Sequence, residues 1–288
     1  GNPPYHLGDG GARASAKPLY HLFVELAKVL GPKYITLIIP ARWYSGGKGL
    51  DDFRAEMLED KHIQELHDFL NPEELFSGLN IRGGVCYFLW NGGYDNGKDL
   101  VKVFTHKKDN PSVMVTRPLL DNCSDIFIRY GISIVKKVKS AEDFKSFSLF
   151  VSPRKPFGLG GDFTKNKKFR ANNNGLKDPI ICYGKNKKIG YLERSEITTN
   201  KEWIDIFKVY TPRANNIGTE LNDDNFNAFL GYPKTICTES YLVLGSDLNL
   251  KKSSAKNLIE YFKTKFVRFL HGLAKSSQDA TSKTYVFI

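Results

Sequence analysis

The sequence lacks paired cysteines and any long apolar run. Its four cysteines, Cys86, Cys123, Cys182 and Cys237, include no CxxC pair and no Cys–His cluster, so neither a disulfide framework nor a metal site is predicted. Scattered single cysteines are typical of a reducing cytoplasm, where we expect the protein to act. The longest apolar run, Tyr34–Pro40, is far shorter than the roughly 18 residues of a membrane-spanning helix. No signal peptide opens the chain, so no membrane partner is expected.

Acidic residues are scarce relative to basic ones, and the imbalance is uneven. The 288 residues include 42 Lys and Arg and 31 Asp and Glu, a formal charge of +11. Residues 1–100 contain 10 basic and 13 acidic residues, whereas residues 101–288 contain 32 and 18, a net charge of +14. A basic part beside a nearly neutral part is typical of a polyanion-binding protein with a second activity. A solvated basic surface without a nucleic-acid ligand is the alternative.

The first hundred residues have the periodicity of an α/β protein. Helices are predicted at residues 17–30 and 50–59, and strands at residues 34–40, 63–70, 84–90 and 100–105, the last as a hairpin partner of the third. Helices that alternate with strongly apolar strands predict a sheet with a buried face.

Beyond residue 106 the pattern changes to short strands and basic loops. Residues 180–183 and 189–192 predict a hairpin with a cationic tip at residues 184–188. Residues 241–245 predict another strand, and Ser254 is the expected N-cap of one helix that extends to Leu273. We therefore predict two domains, residues 1–108 and residues 109–288.

The tetrapeptide Asn2-Pro3-Pro4-Tyr5 is suited to binding a planar amino group. Two prolines stiffen the backbone, so the Asn2 amide oxygen and a backbone carbonyl can point at the same N–H donors while the Tyr5 ring stacks beside them. Drawing those hydrogens out of the conjugated plane makes the nitrogen lone pair available for attack without a metal. A proline-stiffened turn is the structural alternative.

This tetrapeptide and the stretches that follow resemble adenine-specific (N6) DNA methyltransferases of restriction–modification systems. The matching stretches are residues 17–43, residues 76–90 and, in the basic part, residues 152–159, 208–214, 237–245 and 261–270. The resemblance implies an α/β fold: the C-terminal part of a Rossmann-like methyltransferase sheet, followed by an α+β target-recognition domain. It also implies a substrate, double-stranded DNA, from which the target adenine is flipped out.

The resemblance assigns roles to individual residues of the tetrapeptide and of a later loop. Asn2 and Pro3 would accept hydrogen bonds from the adenine amino group, and Tyr5 and Phe76 would stack on the base. The methyl group would come from S-adenosylmethionine by in-line displacement. The alternative for Phe76 is an ordinary hydrophobic anchor.

The cofactor motif of this family is missing from the sequence. In these methylases a glycine-rich loop and an acidic residue precede the tetrapeptide, but here only Gly1 does. The glycine clusters at residues 46–49 and 158–161 lack the strand–glycine–helix–acid context of a nucleotide site. We therefore expect the C-terminal portion of a methylase, which needs an N-terminal methyltransferase segment as a partner. Alone, it is expected to bind DNA but not S-adenosylmethionine.

Basic and amide side chains of the second domain are the candidate DNA contacts. Arg154 and Gln278 have the chemistry to read base edges, and the remaining candidates suit phosphates. The phosphate candidates are Lys155, Lys185, Lys187, Lys188, Lys263, Lys265 and Arg268.

Other functions remain open from the sequence. Asp143-Phe144-Lys145 with Asp125 loosely fits a metal-dependent nuclease, and a restriction endonuclease domain or subunit is a further partner that the resemblance implies. The same tetrapeptide occurs in glutamine-modifying methylases, which lack a large basic domain. The main alternative is a non-catalytic DNA-specificity module.

Overall fold

The computed structural model describes residues 1–7, 17–78, 81, 83–95, 99–121, 123–217 and 225–288. These residues form two compact units. Unit 1 contains Gly1–Lys139 and Lys275–Ser277, and unit 2 contains Ser140–Ala274 and Gln278–Ile288. None of the helices in the described ranges has the length and apolar composition of a membrane span.

Unit 1 is built from three helices and five strands. Its helices are α1 (Tyr20–Val29), α2 (Asp51–Glu59) and α3 (Ile132–Lys139). Its strands are β1 (Tyr34–Pro40), β2 (Ile63–Phe69), β3 (Val85–Asn91), β4 (Val101–Lys107) and β5 (Asn110–Arg117). Both helices and the first four strands predicted for this region are confirmed, although α1 begins three residues later than predicted.

The five strands form one sheet in the order β1-β3-β2-β4-β5. Strand β3 is antiparallel to both neighbours, and β2 pairs with β4 in parallel. The predicted hairpin between β3 and β4 is therefore wrong, because β2 lies between them. A mixed α/β fold is confirmed, and the core of unit 1 lies where α1 and α2 cover one face of this sheet.

The opposite face of the sheet carries a cross-strand stack of rings. The His67 ring lies between Tyr87 and Phe104, with ring centroids 4.3 and 4.2 Å away. His67 Nδ1 is 3.1 Å from His106 Nε2, and His106 Nδ1 is 2.7 Å from the Ser112 hydroxyl oxygen. Burial lowers the pKa of His67, and His106 lowers it further. Burial also lowers the pKa of His106.

Because of this histidine pair, we expect the first sheet to lose stability at acidic pH. A folded-state pKa below the ordinary value of 6.5 means that the unfolded chain binds the proton more tightly. The contribution of these histidines to the free energy of unfolding is fully present above pH 6.5. It is lost as the pH falls through their lowered folded-state pKa values. His67→Phe keeps a ring in the stack but cannot titrate, so its melting temperature should fall less than that of the wild type on acidification. Parallel curves would contradict this prediction.

Unit 2 contains two small sheets and a helical pair. The first sheet has the order β10-β6-β7 and the second the order β11-β8-β9. The strands are β6 (Pro179–Tyr183), β7 (Ile189–Glu193), β8 (Lys208–Pro212), β9 (Phe229–Gly231), β10 (Thr235–Cys237) and β11 (Tyr241–Leu244). The predicted hairpin is confirmed as β6–β7, and the predicted strand at residues 241–245 is confirmed as β11.

The predicted C-terminal helix is in fact two helices. These are α4 (Lys252–Lys263) and α5 (Lys265–Ala274), separated by Thr264, whose ψ of 145° is extended. The Thr264 hydroxyl accepts a hydrogen bond from the Val267 N–H at 3.3 Å, which caps the second helix. Ser254 occupies the third position of α4 rather than its N-cap.

The chain passes from unit 1 to unit 2 about 30 residues after the predicted domain boundary at residue 108. Strand β5 pairs with β4 from Val101↔Arg117 to Lys107↔Asn110, and this pairing keeps residues 110–117 in the first sheet. The division at residue 108 stays a prediction about functional domains.

Candidate functional site

Immediately before the tetrapeptide Asn2-Pro3-Pro4-Tyr5, Gly1 pairs with strand β1 as a residue of a neighbouring strand would. The Gly1 amino group donates to the Thr36 carbonyl at 2.6 Å, and the Ile38 N–H donates to the Gly1 carbonyl at 2.9 Å. This is the parallel hydrogen-bond pattern, with Gly1 opposite the residue between Thr36 and Ile38. The tetrapeptide therefore begins at the outer edge of the sheet.

The tetrapeptide alternates between exposed and buried positions. Asn2 and Pro4 are exposed, Pro3 is buried, and Tyr5 is half-buried against the core of unit 1. The Tyr5 carbonyl accepts a hydrogen bond from the Leu19 N–H at 3.0 Å, which fixes the end of the segment. The Asn2 amide is thus available to a ligand on a backbone that is anchored at both ends.

The Tyr5 side chain is uncharged and makes no hydrogen bond through its hydroxyl to the described residues. Its hydroxyl oxygen is buried without a hydrogen-bond partner among the described residues. Burial raises the pKa of Tyr5, and the neighbouring Cys86 raises it further, so the phenol is neutral at physiological pH. The residue therefore presents the ring of a neutral phenol rather than a phenolate.

Phe76 lies in a loop that is held at both ends. Its N–H donates to the Pro72 carbonyl at 2.9 Å, and the ring is half-buried. Further along the loop, the Gly83 carbonyl accepts a hydrogen bond from Arg129 Nη2. No ring contact joins Phe76 to Tyr5 within the described part of the chain. Tyr5 and Phe76, the two predicted stacking residues, are therefore each held by their own contacts and not by each other.

The sequence did not reveal a buried ion pair whose arginine binds the Gly83 carbonyl of this loop. Asp68 on β2 is completely buried, and Arg129 Nε donates to its carboxylate at 2.8 Å. Although burial alone would lower the pKa of Arg129, Asp68 raises it, so the guanidinium is charged. An acidic residue in step with the apolar residue Leu66 on β2 was the available signal, since a buried carboxylate requires a partner.

Side chains fill the space beside the first glycine of the cluster at residues 46–49. The Gly47 N–H donates to the Asp51 carboxylate at 3.3 Å, so it is already used within the segment. A Cβ at Gly46 would lie 2.5 Å from Arg54 Nη1 and from Asp51 Oδ1, so these side chains fill the space beside the glycine. A Cβ at Gly47 or Gly49 would meet no atom of the described residues within 4 Å, so the space beside these two glycines is open.

The hairpin tip between β6 and β7 is an exposed cationic surface. Lys185, Lys187 and Lys188 are all exposed, and no described acidic side chain pairs with them. Gly184 allows close packing on Thr164, whose Cγ2 would lie 2.2 Å from a Cβ at that position. The tip is therefore supported by the segment Gly161–Lys165 rather than projecting alone.

The basic residues of the last two helices are in different environments. Lys263 pairs with Glu260 at 2.6 Å, and Lys265 is exposed. Arg268 is half-buried, with its Nε shielded from solvent. Of these three predicted phosphate contacts, Lys265 is the most available to a ligand.

The two predicted base readers are linked by residues that sequence reasoning missed. Arg154 Nε donates to Glu239 Oε2 at 2.8 Å, and the Glu239 carbonyl accepts from Arg213 Nε at 3.0 Å. Arg213 Nη1 also donates to the carboxylate of Asp279, next to the exposed Gln278. Lys155 follows Arg154 with a φ of 64° and is exposed.

The residues considered for a nuclease do not form a metal site. The Phe144 N–H closes a turn on the Ala141 carbonyl at 3.0 Å, with Asp143 and Lys145 exposed on either side. Across the ranges that the structure describes, no group of three His, Cys, Asp or Glu residues is arranged to hold a metal ion.

Sequence comparison links the first part of the chain to methylases. Residues 1–76 match the family described as Eco57I restriction-modification methylase. An uncharacterized adenine-specific methylase of Mycoplasma pneumoniae is 37% identical over 111 residues, which cover 38% of this chain and 26% of the relative. The chain thus spans about a quarter of the length of this relative. The predicted resemblance to adenine-specific methylases of restriction–modification systems is confirmed.

Two solved structures are similar over most of the chain at low identity. The type IIG restriction endonuclease BpuSI has a TM-score of 0.36 and 11% identity, covering 92% of this chain and 41% of its own. The type IIL restriction-modification enzyme MmeI, solved in complex with DNA, has a TM-score of 0.44 and 8% identity, covering 88% and 37%. At these TM-scores neither likeness carries an argument about fold or function.

Proposed function

We propose that this chain is part of a site-specific DNA adenine-N6 methyltransferase of a restriction–modification system. The observation that carries the proposal is the placement of Asn2-Pro3-Pro4-Tyr5. Its Asn2 side chain is exposed, its backbone is anchored at Gly1 and Tyr5, and the Tyr5 ring is half-buried against the core of unit 1. The family match of residues 1–76 supports the same assignment.

The strand order supports a finer fold assignment. Strands β1 and β2 run antiparallel to β3, which lies between them, and Gly1 adds a parallel pairing at the free edge of β1. This arrangement is what the C-terminal part of a Rossmann-like methyltransferase sheet would have, with the tetrapeptide at the carboxyl end of the preceding parallel strand. Ligands of open α/β sheets bind at the carboxyl ends of such strands.

The chemistry of the site requires two acceptors and a stacking ring. The Asn2 amide oxygen and the Pro3 carbonyl accept hydrogen bonds from the amino group of a flipped adenine, while Tyr5 and Phe76 hold the base. As the N–H bonds turn toward these acceptors, the nitrogen lone pair leaves conjugation and becomes nucleophilic. In family methylases the methyl group comes from S-adenosylmethionine.

Unit 2 is the proposed DNA reader. It carries the hairpin tip, Arg154, Lys155, Lys265 and Gln278. Double-stranded DNA and an N-terminal methyltransferase segment are the proposed partners, and a restriction endonuclease domain or subunit is a further one.

The proposed DNA contact of the hairpin tip predicts a change in salt dependence. Replacing Lys185, Lys187 and Lys188 together with Ala should weaken binding to duplexes of any sequence. The plot of log affinity against log salt should become shallower by about one for each lysine that contacts a phosphate. Titration of a labelled duplex at several salt concentrations measures both quantities.

A matched variant separates this contact from the loss of total charge. Lys33, Lys61 and Lys108 are exposed lysines of unit 1, and their replacement with Ala removes the same charge. That control should retain the wild-type salt slope. An unchanged slope in the hairpin variant would remove the hairpin from the DNA interface.

A non-catalytic DNA-specificity module is the second candidate. It is favoured by two features of the glycine cluster at residues 46–49: the Gly47 N–H donates to Asp51, and the side chains of Asp51 and Arg54 fill the space beside Gly46. Calorimetric titration of this chain with S-adenosylmethionine tests whether the chain binds the cofactor by itself. We expect no micromolar binding to the chain alone, and methylation only when an N-terminal methyltransferase segment is present.

A further inference from the structure

We propose that Glu239 is a positioning residue that holds Arg154 in place to read a guanine, with Arg213 extending the same support to Gln278. The inference rests on the proposed function, since it assigns the base-reading step within the DNA reader. All the contacts that carry it lie within unit 2.

Among the described residues, the Arg154 side chain is held only through Nε, the guanidinium nitrogen nearest the backbone. Nε donates to Glu239 Oε2 at 2.8 Å, and 64% of the side chain remains exposed. The two terminal nitrogens make no hydrogen bond to the described residues. They therefore remain available as the two-pronged donor that matches O6 and N7 of guanine in the major groove.

Glu239 is itself held firmly. Its other carboxylate oxygen accepts the Gly161 N–H at 2.9 Å, and its own N–H donates to the Leu159 carbonyl at 2.9 Å. Although burial acts in the opposite direction, the hydrogen bonds from Arg154 and Gly161 lower the pKa of Glu239, so it is charged at neutral pH. A charged acceptor forms the stronger hydrogen bond to a guanidinium.

The loop that carries Arg154 is anchored on the C-terminal side of that residue. Phe157 and Leu159 are buried in the core of unit 2, and Asn200 Nδ2 donates to the Pro156 carbonyl at 2.6 Å. An exposed arginine on such a loop loses less conformational entropy on binding than one on a free segment. A solvated surface arginine would need neither this anchoring nor a buttressing carboxylate.

Arg213 connects this arrangement to the second predicted base reader. It donates to the Glu239 carbonyl and to the Asp279 carboxylate, and its own carbonyl accepts the Ala280 N–H at 2.7 Å. The Gln278 carbonyl accepts the Asn215 N–H at 3.2 Å, which leaves the exposed side chain on a fixed backbone. Glutamine binds adenine N6 and N7, so the frame supports a guanine reader and an adenine reader together.

Selection from a pool of duplexes with a randomised centre tests the inference. We expect the wild-type chain to enrich a guanine at one position. Arg154→Lys keeps the charge but loses the fork, so this enrichment should fall about 5- to 150-fold at that position, equivalent to one bidentate contact. Because Arg154 is exposed, this variant should fold normally. No change in Arg154→Lys would overturn the assignment of Arg154 as a base reader.

Glu239→Gln tests the positioning role. It should reduce enrichment at the same position only, while affinity for a duplex of unrelated sequence and the salt slope stay as in the wild type. Equal loss at every position would mean that Glu239 acts only on the stability of unit 2, and unchanged enrichment would overturn the inference. A wild-type chain that retains no duplex would instead contradict the proposed function itself.

Discussion

Replacing Arg129 with methionine is expected to lower the free energy of unfolding of unit 1 by about 3–5 kcal/mol. The change leaves the carboxylate of Asp68 buried without its ion-pair partner, at a position with no exposure to water. One oxygen of Asp68 already lacks a hydrogen bond, so the remaining environment offers little compensation. The Gly83 carbonyl also loses the donor that holds the loop before β3.

Denaturation followed by tryptophan fluorescence measures this effect. Trp43 and Trp90 lie in unit 1 and Trp203 lies in unit 2, so a Trp203→Phe background reports on unit 1 alone. The double variant Asp68→Leu, Arg129→Met should recover much of the loss because it removes the uncompensated charge. Lys61→Met breaks an exposed pair of unit 1, with Asp99, and should cost no more than about 1 kcal/mol. A similarly small effect of Arg129→Met would refute the buried-pair argument.

Strands β1 and β3 were predictable because each is a short apolar run, but the order of the strands in the sheet was not. Turn residues after β3 favoured a hairpin with β4, whereas β4 pairs in parallel with β2, about 37 residues earlier. Periodicity indicates which face of a strand is buried and carries no information about its neighbour. Strand β5 was missed because its side chains are almost all exposed and it contains Pro111, as edge strands do.

Charge counting identified the hairpin tip but could not separate surface from interior cations. Lys208 adds to the positive charge of the basic part, yet it is completely buried and its Nζ donates to the carbonyls of Ile204, Ile206 and Tyr232 at 3.0–3.3 Å. Burial lowers the pKa of Lys208 to about 8. Such a lysine binds its own chain and is unavailable to DNA.

The residues that organise the candidate readers were invisible for a related reason. Arg154 was a candidate base reader on its chemistry, whereas Glu239 counted only as one negative charge against DNA binding. Its role depends on hydrogen bonds across 85 positions of the chain, to Arg154, and 78 positions, to Gly161. Local sequence patterns do not contain pairings at that separation.

In a complete methylase, Asn2→Ala is expected to reduce the rate of methyl transfer about 100- to 1,000-fold. This is the typical cost of removing one preorganised group that stabilises charge developing in a transition state. Asn2 is exposed, and its side chain has no hydrogen bond to the described residues, so stability should be unchanged. DNA affinity should also remain, because the phosphate contacts proposed here lie in unit 2. Single-turnover transfer of a labelled methyl group to duplex DNA measures the rate.

Two further variants show which atoms carry the effect. Asn2→Asp keeps an oxygen acceptor at the same position, so it should retain more activity than Asn2→Ala. Tyr5→Phe keeps the ring and removes a hydroxyl that is buried without a partner, so transfer should stay close to the wild-type rate. If Asn2→Ala methylates normally, the amide does not bind the amino group, and the tetrapeptide serves only as a stiff turn. If Asn2→Asp is as slow as Asn2→Ala, the amide N–H donors rather than the oxygen acceptor carry the function.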